Sequence, residues 1–171
     1  RFPIPVVINV TNSNVGEVEQ INVTLLEDAT GRVLLDIGDN HYYADVINGT
    51  ATFNIYRLGA GKYDFTVIYE GDDKYFANQS NSSFIVSKYQ PEFTVNGTNI
   101  TFGSDELIKF ETADNITGLV KVEIDNKNYT AFINEGKGNL TVYGLAAGDY
   151  NITLYFEGNE KYLNASAKNK S

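Results

Sequence analysis

The chain has 171 residues, long enough for one domain or two small ones, and its 42% hydrophobic content supplies a core and excludes wholesale disorder. A formal net charge of −9 without a basic cluster leaves no positive footprint for nucleic acid, and zero Cys with a single His excludes disulfides, thiolate chemistry and multi-histidine metal sites. No apolar run approaches the ~20 residues of a membrane-spanning helix, so no membrane insertion is expected in this segment, and residues 1–20 do not read as a signal peptide.

The first predicted element is the apolar stretch Ile4–Val10. Pro3 and Pro5 stand at its start, where proline does not interrupt a central strand. Ile21, Val23 and Leu25 then alternate with polar residues, as do Val33, Leu35 and Ile37, and a period of two is the strand signature. His41 falls in a predicted Gly38-Asp39-Asn40-His41 turn, has no nucleophile at a recognisable spacing, and reads as a surface residue. Ala51–Ile55 alternates again. Leu58-Gly59-Ala60-Gly61-Lys62-Tyr63 leads into Tyr63, Phe65, Val67 and Tyr69 on one face. The carboxylates Glu70, Asp72 and Asp73 follow, and Ser83-Phe84-Ile85-Val86-Ser87 reads as a closing strand.

Beyond Ser87 the chain begins again. Leu145-Ala146-Ala147-Gly148-Asp149-Tyr150 repeats residues 58–63 at an offset of 87, and nine of the nineteen residues from 58 to 76 are identical across it. The same offset pairs Gly16 with Gly103, Ile21 with Ile108, Gly31 with Gly118, Ile37 with Ile124 and Gly49 with Gly136. Val120, Val122 and Ile124, then Tyr150, Ile152, Leu154 and Phe156, restate the strand rhythm. The predicted fold is therefore all-β, two tandem sandwiches of about seven strands each, with bounds 1–87 and 88–171. Ser87-Lys88-Tyr89-Gln90 joins the copies without a Gly/Ser-rich linker, which predicts limited hinge motion.

A Tyr following Ala-Gly-x at the corner before the sixth strand suits the tyrosine corner of an immunoglobulin-like sandwich, and Tyr63 and Tyr150 hold that place. Leu-x-Ala-Gly-x-Tyr, followed by Tyr/Phe-x-Gly-Asp/Asn-x-x-Tyr at 69–75 and 156–162 and by Phe84-Ile85-Val86, resembles the group 3 bacterial immunoglobulin-like repeat. The resemblance covers nearly the whole chain. It implies an immunoglobulin-like fold and an extracellular, cell-surface place, because such repeats form long arrays in bacterial surface proteins and in adhesin-like proteins of methanogenic archaea. It implies no ligand.

Counting 87 from Phe84 reaches Ser171, so the second copy is expected to lack its closing strand G, its tail Ala165–Ser171 being too polar to replace it. Truncation of a longer array explains this, and so does donation of the strand by a neighbouring chain. Ile4–Val10 is the candidate donor, although it also reads as the first strand of copy one.

Twenty Asn and twenty-two Ser+Thr placed at random give about 2.6 Asn-x-Ser/Thr triplets. The chain has thirteen, beginning at Asn9, Asn22, Asn48, Asn78, Asn81, Asn96, Asn99, Asn115, Asn128, Asn139, Asn151, Asn164 and Asn169, and none contains Pro. Strand alternation alone is symmetric and predicts equally many Ser/Thr-x-Asn triplets, yet only two occur. The direction is that of the N-glycosylation acceptor, so these asparagines are the candidate glycan sites and N-linked glycans an expected partner.

Other chemistry finds less support. Glu70, Asp72 and Asp73, echoed by Glu157 and Glu160, are hard oxygen ligands, but Ca²⁺ takes about six to eight oxygens and the spacing is not that of an EF-hand loop. An Asp or Asn turn bonding its own backbone, with Lys74 or Lys161 as counter-charge, fits better. Ca²⁺ is thus the one cofactor the residues admit, and none is expected. Lys109 and Lys121 fall on the outward phase, away from any buried amide with which they would form an isopeptide link. Tyr56, Tyr143 and Tyr155 are outward aromatics of a kind that stacks on sugars. The expected function is a non-enzymatic structural or adhesion module of an extracellular glycoprotein, a stiff stalk or fibre-body segment whose partners are neighbouring repeats. The alternatives are a pilus-like filament subunit closed by strand donation, and a glycan- or protein-binding adhesin domain.

Overall fold

Alternation of apolar and polar side chains becomes strand after strand with one face buried. A computed structural model describes residues 1–97, 105–145 and 148–169, and no helix occurs among them. The chain divides into two units, Arg1–Lys88 and Tyr89–Ser171.

In the first unit the strands are β1 (Val7–Val10), β2 (Ser13–Asn14), β3 (Glu19–Thr24), β4 (Arg32–Ile37), β5 (Asn40–Asp45), β6 (Thr50–Ile55), β7 (Gly61–Tyr69) and β8 (Asn78–Ser87). They form a three-stranded sheet, β1-β3-β6, and a five-stranded sheet, β2-β8-β7-β4-β5. Only β2 and β8 run parallel; the other neighbours are antiparallel. Register follows the buried phase, with Ile21 opposite Phe53 and Leu35 opposite Val67. Ile21, Val23, Val33, Leu35, Ala51, Val67 and Tyr69 are fully buried between the sheets. A first strand split between the two sheets, with three strands packed on five, is the arrangement of an immunoglobulin-like sandwich.

The turn entering β6 shows how local chemistry sets register. Asn48 (φ 51°) and Gly49 (φ 74°) lie between Ile47 and Thr50, which exchange both backbone hydrogen bonds. Two central residues at positive φ make the tight hairpin whose twist matches its strands. A Cβ on Gly49 would lie 2.5 Å from the Leu26 carbonyl oxygen and 2.8 Å from Glu27 Cα. Glu135 (φ 49°) and Gly136 (φ 84°) repeat the turn in the second unit, where a Cβ on Gly136 would sit 2.5 Å from the Thr112 oxygen.

The second unit comprises β9 (Phe93–Gly97), β10 (Glu106–Thr112), β11 (Gly118–Ile124), β12 (Lys127–Asn134), β13 (Lys137–Val142), β14 (Ile152–Phe156) and β15 (Ala165–Lys168). Its order is β15-β14-β11-β12-β13-β10-β9, one continuous ladder because the β12–β13 hairpin pairs Ile133 with Gly138 and Asn134 with Lys137. Ile108, Phe110, Val122, Ile133 and Leu154 lie at the centre of its core.

The expected absence of a closing strand is corrected in part. Residues 165–168 form β15 and pair with β14 from Thr153–Lys168 to Phe156–Ala165, the register in which Thr66 meets Asn81 and Tyr69 meets Asn78 in the first unit. Polarity judged over the whole tail hid the alternation within it: Ala165 and Ala167 face the core while Ser166 and Lys168 face solvent. Beyond β15 the Asn169 amide still donates to the Ile152 carbonyl at 3.0 Å, and its side chain supplies the remaining bonds. Its Oδ1 accepts the Ile152 amide at 3.1 Å and its Nδ2 donates to the Tyr150 carbonyl at 3.2 Å. No described residue lies opposite Gly148–Asn151 as Ser83–Val86 lies opposite Gly61–Asp64, and the four are not in a strand.

Candidate functional site

The most regular polar geometry lies at the two corners repeated by the duplication. In the first unit Tyr63 donates its hydroxyl to the Gly59 carbonyl at 2.7 Å and stacks on Phe84, ring centroids 5.2 Å apart. Tyr150 is half-buried against the second core. Ala146 and Ala147 of its motif lie outside the described residues.

The second corner follows β7. Asp72 Oδ1 accepts the amides of Lys74 and Tyr75, both at 2.7 Å, and its Oδ2 accepts the Thr30 amide at 2.9 Å. The Thr30 amide, then those of Tyr75 and Lys74, hold this carboxyl well below the usual carboxylate range despite partial burial. Asn159 accepts the Lys161 and Tyr162 amides at 2.9 and 2.8 Å, so Asp and Asn build the same turn. Lys74 is not the counter-charge of that turn: it pairs with Asp28, which also accepts the Tyr75 hydroxyl at 2.7 Å. Arg32 takes Glu70 at 2.9 Å and lies over the Tyr43 ring. Burial, reinforced by Asp72, pushes the Tyr69 hydroxyl up to about 12; that hydroxyl donates to the Thr30 carbonyl at 2.6 Å. The Asp72 oxygens are thus spent on backbone amides, and no group of three His, Asp or Glu able to hold a metal occurs among the described residues. His41 lies on β5, not in a turn, exposed and beside Asp36.

Glu19 and Glu106 are the residues that sequence reasoning missed. They stand 87 positions apart, open β3 and β10, and are only 2% and 4% exposed. Glu19 Oε1, Glu106 Oε2 and the nearby Ser13 hydroxyl have no hydrogen-bond partner among the described residues. Burial pushes the Glu19 carboxyl upward, outweighing its polar neighbours. The signal was present in the spacing, because Glu19 is in phase with Ile21 and Val23, and Glu106 with Ile108 and Phe110.

Other predicted residues are scattered. Lys109 and Lys121 are exposed. In the second unit Tyr155 lines an open groove with Lys121, Glu123 and Ser166, and Tyr143 is not among the groove residues; in the first unit Tyr56 lies beside Arg57. The candidate donor stretch is seated in its own unit: Ile4 and Val6 are buried, β1 pairs with β3, and the Ile4 and Val6 carbonyls accept Asn78 Nδ2 and Ser80 Oγ, each at 2.8 Å. Of the candidate glycan sites, Asn9, Asn48, Asn78, Asn81, Asn96, Asn115, Asn128, Asn139, Asn151 and Asn164 are exposed. Asn22 and Asn169 are half-buried, and Asn99 lies outside the described residues.

No family description matches the chain, and no curated protein matches it. Among solved structures it is similar to the fibronectin(III)-like modules of Clostridium thermocellum CbhA, at 15% identity and a TM-score of 0.38, over 96% of this chain and 92% of that one. A bacterial ice-binding adhesin of 1.5 MDa matches at 14% identity and 0.38, over 96% of this chain and 63% of that one. A tandem of titin Ig domains matches at 12% and 0.38, over 98% and 94%.

Proposed function

We propose that this chain is a non-enzymatic structural module of an extracellular surface protein, a stalk or fibre-body segment that sets distance between other parts. One observation carries the reading. What the two copies share is almost entirely what the fold needs: core positions, the glycines of tight turns, the tyrosine corners and the Asp72/Asn159 turn. A duplicated binding or catalytic module keeps its reactive groups in at least one copy. Here the Tyr63 hydroxyl and the Asp72 carboxylate are bonded to backbone, and Tyr155 lines a groove of the second unit in which Tyr143 takes no part.

The test is binding. The purified chain, applied to glycan and protein arrays, is expected to show no saturable ligand. A saturable ligand abolished by Tyr155→Ala would replace this reading with a recognition domain.

A further inference from the structure

The asparagine triplets and the duplication disagree, and the disagreement is informative. Of the twelve triplet asparagines that the structure describes, only Asn9 and Asn96 stand 87 positions apart. Elsewhere the other copy holds something different: Lys109 for Asn22, Glu135 for Asn48, His41 for Asn128, Thr52 for Asn139 and Asp64 for Asn151. Buried positions behave in the opposite way, as Ile21 and Ile108, Val33 and Val120, and Glu19 and Glu106 show. A triplet held for a hydrogen bond of the fold would recur at the same register position. Triplets that sit at different positions in two copies of one fold are not required by the fold the copies share, so side-chain bonding decides which of them a single copy uses structurally.

Side-chain bonding then separates two groups. Asn22 donates to Gln20 and accepts from Thr52, at 3.2 and 2.9 Å. Asn78 donates to the Ile4 carbonyl and accepts the Gln79 amide. Asn169 bridges Tyr150 and Ile152. These three carboxamides are engaged at both ends. The other nine are exposed, and none donates from Nδ2 to another described residue. Cross-strand pairing agrees: Asn9 and Asn22 are direct partners, with Cα atoms about 4.5–5.5 Å apart, too close for two glycan stems. Asn22 is the one already engaged.

We propose that the chain is N-glycosylated at Asn9, Asn48 and Asn81 in the first unit and at Asn96, Asn115, Asn128, Asn139, Asn151 and Asn164 in the second, and that Asn22, Asn78 and Asn169 serve the fold instead. The proposal rests on the extracellular placement above. The donor class is a lipid-phosphate-linked oligosaccharide. Asparagine Nδ2 forms a bond to the sugar C1, the C1–O bond to phosphate breaks with its electron pair leaving on the phosphate oxygen, and a transferase base takes the Nδ2 proton. The one shared pair, Asn9 and Asn96, lies on β1 and β9, each at the end of its sheet order. A glycan there covers an unpaired strand edge that would otherwise accept a foreign strand.

The test is secretion of the intact chain from a eukaryotic cell, enzymatic removal of N-glycans in ¹⁸O-water, and peptide mass spectrometry. The nine sites are expected to carry the isotopic mark. Asn22, Asn78 and Asn169 are expected about two- to tenfold lower, the factor set by one displaced hydrogen bond. Thr11→Ala should erase the mark at Asn9, and Thr11→Ser should keep it. A secreted chain unmarked at Asn9 and Asn96, or marked as fully at Asn78 and Asn169 as at Asn9, overturns the assignment. A ligand on the arrays would overturn the stalk reading without altering this pattern.

Discussion

Tyr63 ties a loop to itself with one hydrogen bond and leans on the core with one ring. Tyr63→Phe removes the 2.7 Å bond to Gly59 and keeps the stack on Phe84, so it should lower the first unit's stability by about 1 kcal/mol in urea unfolding. Two carboxyls of the same unit work in opposite directions with pH. The folded state holds Asp72 below its unfolded value, so its contribution is present above about pH 4 and is lost as pH falls below that. Burial holds Glu19 above its unfolded value, so its contribution is complete below about pH 4 and is lost as pH rises through the raised folded value. Unfolding curves across pH should therefore show a flatter acid limb in Asp72→Asn, which keeps the Asn159-like turn, and a flatter limb above pH 4 in Glu19→Gln. An acid limb in Asp72→Asn as steep as that of the parent would dissociate the turn from the acid response. Tyr63 was legible because its neighbours form a motif. Glu19 was not, because a charge reads as surface until its phase in the strand is counted.

At the scale of elements, alternation marked β3, β4, β6, β7, β11 and β14, since a sandwich buries one face of each and leaves the other in water. The His41 strand escaped because β5 buries almost nothing: its six residues are exposed except half-buried Ala44, so no apolar phase marks it. The closing strand β15 escaped because its apolar phase is only Ala165 and Ala167. Pairing to β14 holds it, and Asn169 extends the ladder with both its backbone amide, which donates to the Ile152 carbonyl, and its carboxamide, which accepts the Ile152 amide. The turns are more demanding than the strands. Gly49→Ala places a methyl against backbone atoms at positive φ, a strain that exceeds the few tenths of a kcal/mol at which such substitutions help elsewhere. It should destabilise the first unit by about 2 kcal/mol or more, with Gly136→Ala acting alike on the second. A thermal scan of either variant that superimposes on the parent would mean that the hairpin relaxes at no cost.

At the scale of the whole molecule, the stalk and the strand-donating filament differ in what residues 1–10 do. In a donor they would be poorly held at home and would add length to a neighbour. Here Ile4 and Val6 are core residues, 2% and 9% exposed, and Val7–Val10 pairs with Ile21–Thr24. Burying two such side chains contributes about 1.5–3 kcal/mol each, and vacating them for a neighbour would forfeit that at home. Deleting residues 1–10 should therefore destabilise the first unit by about 3–6 kcal/mol, measured by urea unfolding of the full-length and shortened chains. Light scattering of the two proteins below their unfolding transitions should give monomer masses for both. Head-to-tail chains in the intact protein that vanish on deletion would reverse the assignment, because residues 1–10 would then be holding molecules together more firmly than they hold their own unit.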